Sequence, residues 1–294
     1  MSIPKRIFVV GCPRSGTTLL QSILTTSPAI ISFPESHFFV NLFRRRSDLQ
    51  KKLNFASHYS RPGFESFMLE AGYETIRRTL PTHAVSLQQH TRTFIDTLDT
   101  IARQQQKSIW IEKTPDHVNF IDFIETHVHN AQFIHIIRPG SDVVASLYDV
   151  THKYPREWEG PWGIDRCLRK WTTCVTNTYK HQAKPNHLIV RYEHLVHELA
   201  GVKRRLGEFL RVNLDATSLD HRQGEFDKIA LQREPWKMNS SQEIYQTKAD
   251  KFSSLFTQQQ QDYVLDAISQ AGLTDIESFK NSKQGERYCS VVAS

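Results

Sequence analysis

The sequence predicts an α/β protein, a parallel β-sheet of about four to five strands flanked by helices. Two observations carry that reading. Four short runs, Arg6 to Val10, Ser108 to Ile111, Gln132 to Ile137 and His187 to Val190, are largely apolar at successive positions and rich in Ile, Val and Phe. Strands buried on both faces have this pattern. Each run is followed by a stretch of helical periodicity, as crossovers between parallel strands require. Ala29 to Phe33 makes a weaker fifth strand, because Pro28 and Pro34 bracket it.

Helices fill the intervals. Thr17 to Thr25 follows the first run, and Phe64 to Leu80 and Val85 to Gln106 form a long polar-faced pair. His117 to His127 follows the second run and Ser141 to Val150 the third, while Trp162 to Gln182, Val202 to Leu210 and Thr257 to Ala271 complete the set. Residues 1–294 are read as one domain, with residues 41–106 as a helical insertion over the carboxyl edge of the sheet. Between residues 213 and 250 the periodicity dissolves around Arg233, Pro235, Trp236 and Lys237. A loop of that length in a compact domain is usually functional, and this one is expected to close over donor or acceptor.

Composition narrows the class. With 39% hydrophobic and 23% charged residues in 294, the chain is an ordinary globular protein. No window approaches the ~18 consecutive apolar residues of a membrane span, and Met1 to Arg6 leads into a strand with no signal-like apolar region. Four cysteines, Cys12, Cys167, Cys174 and Cys289, are too scattered for a disulfide framework or a zinc site. Cys167 and Cys174 read as buried thiols, and a cytoplasmic, reducing compartment is expected. A net charge of +6 suits an anionic ligand. No long basic stripe interleaved with aromatics suggests a nucleic-acid partner.

The most informative segment runs from Ile7 to Leu20, IFVVGCPRSGTTLL. A buried strand enters Gly11, four residues intervene, and Gly16-Thr17-Thr18 opens a helix. That spacing turns successive amides and a helix dipole toward one point, a nest for a phosphate-sized anion. This is a P-loop-type arrangement, yet Thr17 stands where a nucleotide-triphosphate loop has its lysine, and the cation is Arg14 inside the loop. The strand ending at Ile137 is followed by Arg138, where a magnesium-binding Asp would stand. A kinase, the alternative reading, is therefore disfavoured, and no metal ligands are assigned. Arg138 and Ser146, eight positions apart across a strand end and a helix, make a second candidate anion site.

Together these segments resemble the sulfotransferases that use 3′-phosphoadenosine 5′-phosphosulfate, more closely the tyrosylprotein and bacterial branch, with arginine in the loop, than the cytosolic hormone-type enzymes. Pro13-Arg-Ser-Gly-Thr-Thr is similar to their 5′-phosphosulfate loop, Arg138 with Ser146 to their 3′-phosphate motif, and Arg191-Tyr-Glu-His-Leu195 to a segment whose tyrosine, here Tyr192, lies near the adenine. The resemblance covers roughly Arg6 to Leu210. It implies transfer of a sulfuryl group to an unidentified hydroxyl or amine of a small molecule or peptide, with adenosine 3′,5′-bisphosphate as product. Arg14, Ser15, Gly16, Thr17 and Thr18 would cradle the donor's 5′ end. Glu35, 21 positions after Arg14, falls where that branch keeps its base; His37 and His117 are rivals. Lys113, at a strand end in Glu112-Lys-Thr-Pro115, would stabilise the transferred group. Lys248, Lys251, Ser240 and Ser241 are candidates to close over the 3′-phosphate, and Arg44 to Arg46 to steer an anion. Trp158, Trp162, Phe38, Phe39 and Tyr148 are candidate walls of an acceptor pocket, although aromatics at such spacings are more often core.

Overall fold

Strands β1 (Lys5–Gly11), β2 (Ile30–Ser32), β3 (Ile109–Lys113), β4 (Ala131–Ile137) and β5 (His187–Arg191) form one sheet in the order β2-β3-β1-β4-β5. Every pairing is parallel. The structure is a computed structural model that describes residues 4–73, 85–214 and 251–277. All five expected strands are present, including the short one between the prolines.

Alternation along β1 explains the unbroken apolar runs. Phe8 and Val10 point into one core with Trp110 and Phe133, whereas Ile7 and Val9 point into another with Ile111, Ile134 and Ile136. Both faces are covered, so no strand position can be polar without a partner. The second core is closed by helices α1 (Thr17–Leu24), α9 (Tyr192–His197) and α10 (Leu199–Leu210). The first receives α2 (Phe38–Phe43), α4 (Ser60–Glu70), α5 (Leu87–Gln104), α6 (Ile121–His127), α7 (Gly140–Lys153) and α8 (Ile164–Tyr179). Short α3 (Asp48–Lys52) lies outside the core, and α11 (Lys251–Leu255), α12 (Gln258–Gln270) and α13 (Thr274–Glu277) pack near α7 and α8.

The order of strands creates the site. The chain leaves β1 for the β2 edge and leaves β4 for the β5 edge, so the carboxyl ends of β1 and β4 flank a topological switch point, where open α/β sheets bind ligands. The loops after these two strands carry Arg14 and Arg138.

Two expectations change and one is filled out. The described helices of residues 41–106 also share the sheet's own core: Phe64, Phe67, Phe94 and Leu98 lie in one cluster with Phe8 and Trp110. Helix α4 starts earlier than expected and ends at Glu70, because Gly72 at φ +79° allows a Schellman close, with Tyr73 N–H donating to Met68 C=O at 2.8 Å and Gly72 N–H to Leu69 C=O at 3.1 Å. The rest of that expected helix, to Leu80, lies outside the described residues. Phe38 and Phe39 are core residues, 1% and 0% exposed, and Tyr148 stacks on His152 and packs on Phe256. None of the three lines the cavity described below.

Phe38 stacks face to face on Phe94 with centroids 4.1 Å apart, tying α2, which follows Glu35, to α5. Replacing this fully buried ring, Phe94→Ala, is expected to lower unfolding free energy by about 3–5 kcal/mol in a urea titration.

Candidate active site

The strand-to-helix loop is shaped by two glycines. At Gly11 a Cβ would come within 2.5 Å of the Ile136 carbonyl oxygen, so only glycine lets β1 end this close to β4. At Gly16, with φ +95°, a Cβ would lie 2.4 Å from the Tyr192 ring. Arg14 itself takes a left-handed conformation, φ 72°, uncommon for a residue with a side chain. The first bond of the helical ladder runs from Leu20 N–H to Gly16 C=O at 3.1 Å, so the amides of Thr17, Thr18 and Leu19 precede it. Ser15 Oγ is buried with no hydrogen-bond partner among the described residues. Such a set of donors fits a phosphate.

The two candidate anion sites meet. Arg14 Nε donates to Ser146 Oγ at 3.1 Å, joining the loop to α7. Arg138 pairs with Asp142 at 3.2 Å, and its guanidinium lies 4.2 Å from the centre of the Tyr192 ring. Arg14, Gly16, Thr17, Thr18, Arg138, Ser146 and Tyr192 all line one cavity of about 700 Å³.

Glu35 lines the same cavity from the turn between β2 and α2. Its carboxylate pairs with Lys113 Nζ and lies 3.6 Å from His37 Nε2. Lys113 is 1% exposed, so its charge acts from behind Glu35. His37 is half exposed and lines the cavity too. His117 does not: it is fully buried, its Nε2 accepts the Phe39 amide at 3.2 Å, and its Nδ1 lies 2.8 Å from Glu112 Oε2. It is a structural residue. Ser36 Oγ accepts the Phe38 amide at 3.1 Å at the start of α2.

Sequence reasoning passed over Glu112. Its Oε1 accepts from Ser36 N–H at 3.2 Å, Ser36 Oγ at 2.8 Å and Thr114 Oγ1 at 2.5 Å. Burial alone would raise this carboxyl. The His117 ring and the hydroxyl donors outweigh burial and hold it below the ordinary value. Also unread were Asp116 and Lys170, an ion pair on the cavity wall. Burial would lower the Lys170 ammonium, but Asp116 more than compensates and holds it above the ordinary lysine value. The signal was weak, because Lys170 reads as the solvated face of α8. Trp158, Trp162, Phe43, Phe120, Arg44, Glu157, Glu159 and Arg166 also line the cavity. Arg44 pairs with Glu159 at 2.9 Å. Lys251 bonds Asp149 at 3.0 Å; Lys248, Ser240 and Ser241 lie outside the described residues.

Fold and cradle define a P-loop-type α/β protein whose candidate anion site is built on arginines. The sequence model of the Sulfotransferase family matches residues 4–216, and the chain belongs to that family. Protein-tyrosine sulfotransferase A of Caenorhabditis elegans is 22% identical over 220 residues, 74% of this chain and 52% of the relative. The chain thus spans about half the length of that curated relative. The sulfotransferase domain of the Synechococcus PCC 7002 olefin synthase superposes with a TM-score of 0.58 at 22% identity, covering 97% of this chain and 98% of that one. The sulfotransferase domain from the curacin biosynthetic pathway gives a TM-score of 0.58 at 18% identity, covering 92% and 99%. These structural likenesses bear out the fold. No described helix is long and apolar enough to cross a membrane.

Glu193, next to Tyr192, is pushed up to about 7 by burial, which its backbone hydrogen bond and Arg138 only partly offset. A carboxyl raised in the folded state binds more protons folded than unfolded, so it is harmless below its ordinary value and destabilises increasingly as pH rises through its folded one. The Tm advantage of Glu193→Gln over wild type should therefore grow from about pH 5 to about pH 8 in thermal melts.

Proposed function

We propose that this protein transfers the sulfuryl group of 3′-phosphoadenosine 5′-phosphosulfate to an acceptor hydroxyl or amine and releases adenosine 3′,5′-bisphosphate. The observation that carries the reading is the convergence of Arg14, Arg138, Tyr192 and Glu35 on one cavity. Membership of the sulfotransferase family supports it.

Each residue then has a task. The loop amides, Ser15, Thr17, Thr18 and Arg14 bind the 5′-phosphate end, Arg138 and Ser146 bind the 3′-phosphate, and Tyr192 packs on the adenine side. Glu35 takes the proton from an acceptor hydroxyl as its oxygen bonds to sulfur. The bond from sulfur to the bridging oxygen breaks, and that oxygen leaves with the electron pair on the 5′-phosphate. Arg14 offsets the charge that develops there, and Lys113 orients Glu35 and adds positive charge close behind it. Preorganised cations and amides supply most of the stabilisation in such loose transfers. Arginine where a magnesium-binding acid would stand supports a reaction that needs no metal.

The acceptor binds against Trp158, Trp162, Phe43 and Phe120, a wall that suits a small molecule or a peptide side chain. The reading extends to the whole chain as one catalytic domain in the cytoplasm, where a reducing milieu suits the buried free thiols Cys12, Cys167 and Cys174.

A substitution series tests the roles. Arg14→Ala should abolish turnover, and Arg138→Ala should mainly weaken donor binding. Glu35→Gln, which keeps an acceptor for the buried Lys113 ammonium, should lower kcat by at least about 10²-fold with donor affinity intact. Near-normal turnover in Glu35→Gln would pass the base role to His37. A second measurement separates the donors: adenosine 3′,5′-bisphosphate should raise Tm in the presence of EDTA, and ATP with magnesium should not. The reverse outcome would return the chain to kinase chemistry.

A further inference from the structure

At the amino edge of the sheet, away from the cavity, four polar side chains from four elements meet. Glu125 comes from α6, His135 from β4, His181 from the turn after α8, and His187 from the first position of β5. A metal-ligand atom on each of Glu125, His181 and His187 lies within 4.8 Å of the other two. His187 Nε2 is 3.0 Å from Glu125 Oε1, and His181 Nδ1 is 4.0 Å from Glu125 Oε2. The side chain of His181 is 7% exposed, and its Nδ1 is buried with no hydrogen-bond partner among the described residues. A buried ring nitrogen left without a partner is costly in a fold that otherwise satisfies its polar groups.

We propose that Glu125, His181 and His187 form a binding site for a divalent transition metal of the zinc class, separate from the cavity. Two imidazoles and a carboxylate are a zinc donor set, with bonds of about 2.0–2.2 Å. Tetrahedral ligand atoms at such bond lengths lie about 3.3–3.6 Å apart, so the trio must draw together by about an ångström on loading. Outer partners are in place. His187 Nδ1 is 2.8 Å from His135 Nε2, and His135 Nδ1 is 3.0 Å from Thr178 Oγ1, a chain that orients the His187 ring as metal-bound histidines usually are. His181 Nε2 faces Asp122 at 3.6 Å.

Lys184 Nζ now bonds Glu125 Oε2 at 2.5 Å and must swing away on loading; its side chain is 42% exposed and free to do so. The sequence hides the trio because only residues 181 and 187 are near one another and no cysteine takes part.

The test uses the full chain stripped with a chelator and titrated with zinc chloride, read by calorimetry and by thermal melts. One zinc per chain should bind and raise Tm by several degrees. His181→Asn and Glu125→Gln should each weaken binding at least about 10²-fold, the upper end of the loss from removing an outer partner. The melting-temperature rise produced by adenosine 3′,5′-bisphosphate should be unchanged in both. Should His181→Asn not fold, Glu125→Gln decides alone. No zinc-dependent rise in the wild type, or equal zinc affinity in wild type and a folded variant, overturns the proposal.

Discussion

A single buried carboxylate, Glu112, sets where the catalytic candidate stands. It is 0% exposed at the carboxyl end of β3, where an uncompensated charge could not persist. The donors that satisfy it come from the segment it must hold: the amide and hydroxyl of Ser36, the hydroxyl of Thr114, and the His117 ring. Hydrogen bonds to a charged group contribute about 1.5–3 kcal/mol each. Thr114 Oγ1 and His117 Nε2 in turn accept the amides of His37 and Phe39. Residues 36–39 are thus pinned by side chains of β3 and the turn after it, and Glu35 is carried to the cavity with little freedom left.

The anion side is held by a different device, direct contact between loops that follow separate strands. Tyr192 packs on Gly16 so closely that no side chain could be tolerated there, and Arg138 lies over the same ring. The Arg14–Ser146 bond closes the arrangement from the α7 side. Two arginines facing one cavity repel each other; Asp142 beside Arg138 offsets part of that cost until an anion binds. The parallel sheet makes this possible, because all its carboxyl ends lie on one edge and deliver Arg14, Lys113, Arg138 and Tyr192 at the ends of four adjacent strands.

Much of this was legible in the sequence. Strands buried on both faces leave unbroken apolar runs, so all five could be placed, and Gly11 with Gly16 marked a loop that needs unusual backbone angles. Lys113 and Glu35 were legible as candidates but not as a pair, since 78 residues separate them. Phe38 and Phe39 were open to two readings, and burial against Phe94 decided for the core. The short helix α9 escaped, because fewer than two turns carry too little periodicity to register.

By itself the sequence determined the alternation of strands and helices, the replacement of lysine and acid by arginines at the phosphate loop, and hence the charge of the ligand that the loop can accept. These are local properties, written in consecutive residues. Tertiary structure alone decided the rest: that His117 serves Glu112 rather than the cavity, that Asp116 and Lys170 face it, and that three histidines and Glu125 gather at the opposite edge. Such groupings depend on strand order and helix packing, which bring distant residues within a few ångströms without leaving a mark on spacing along the chain.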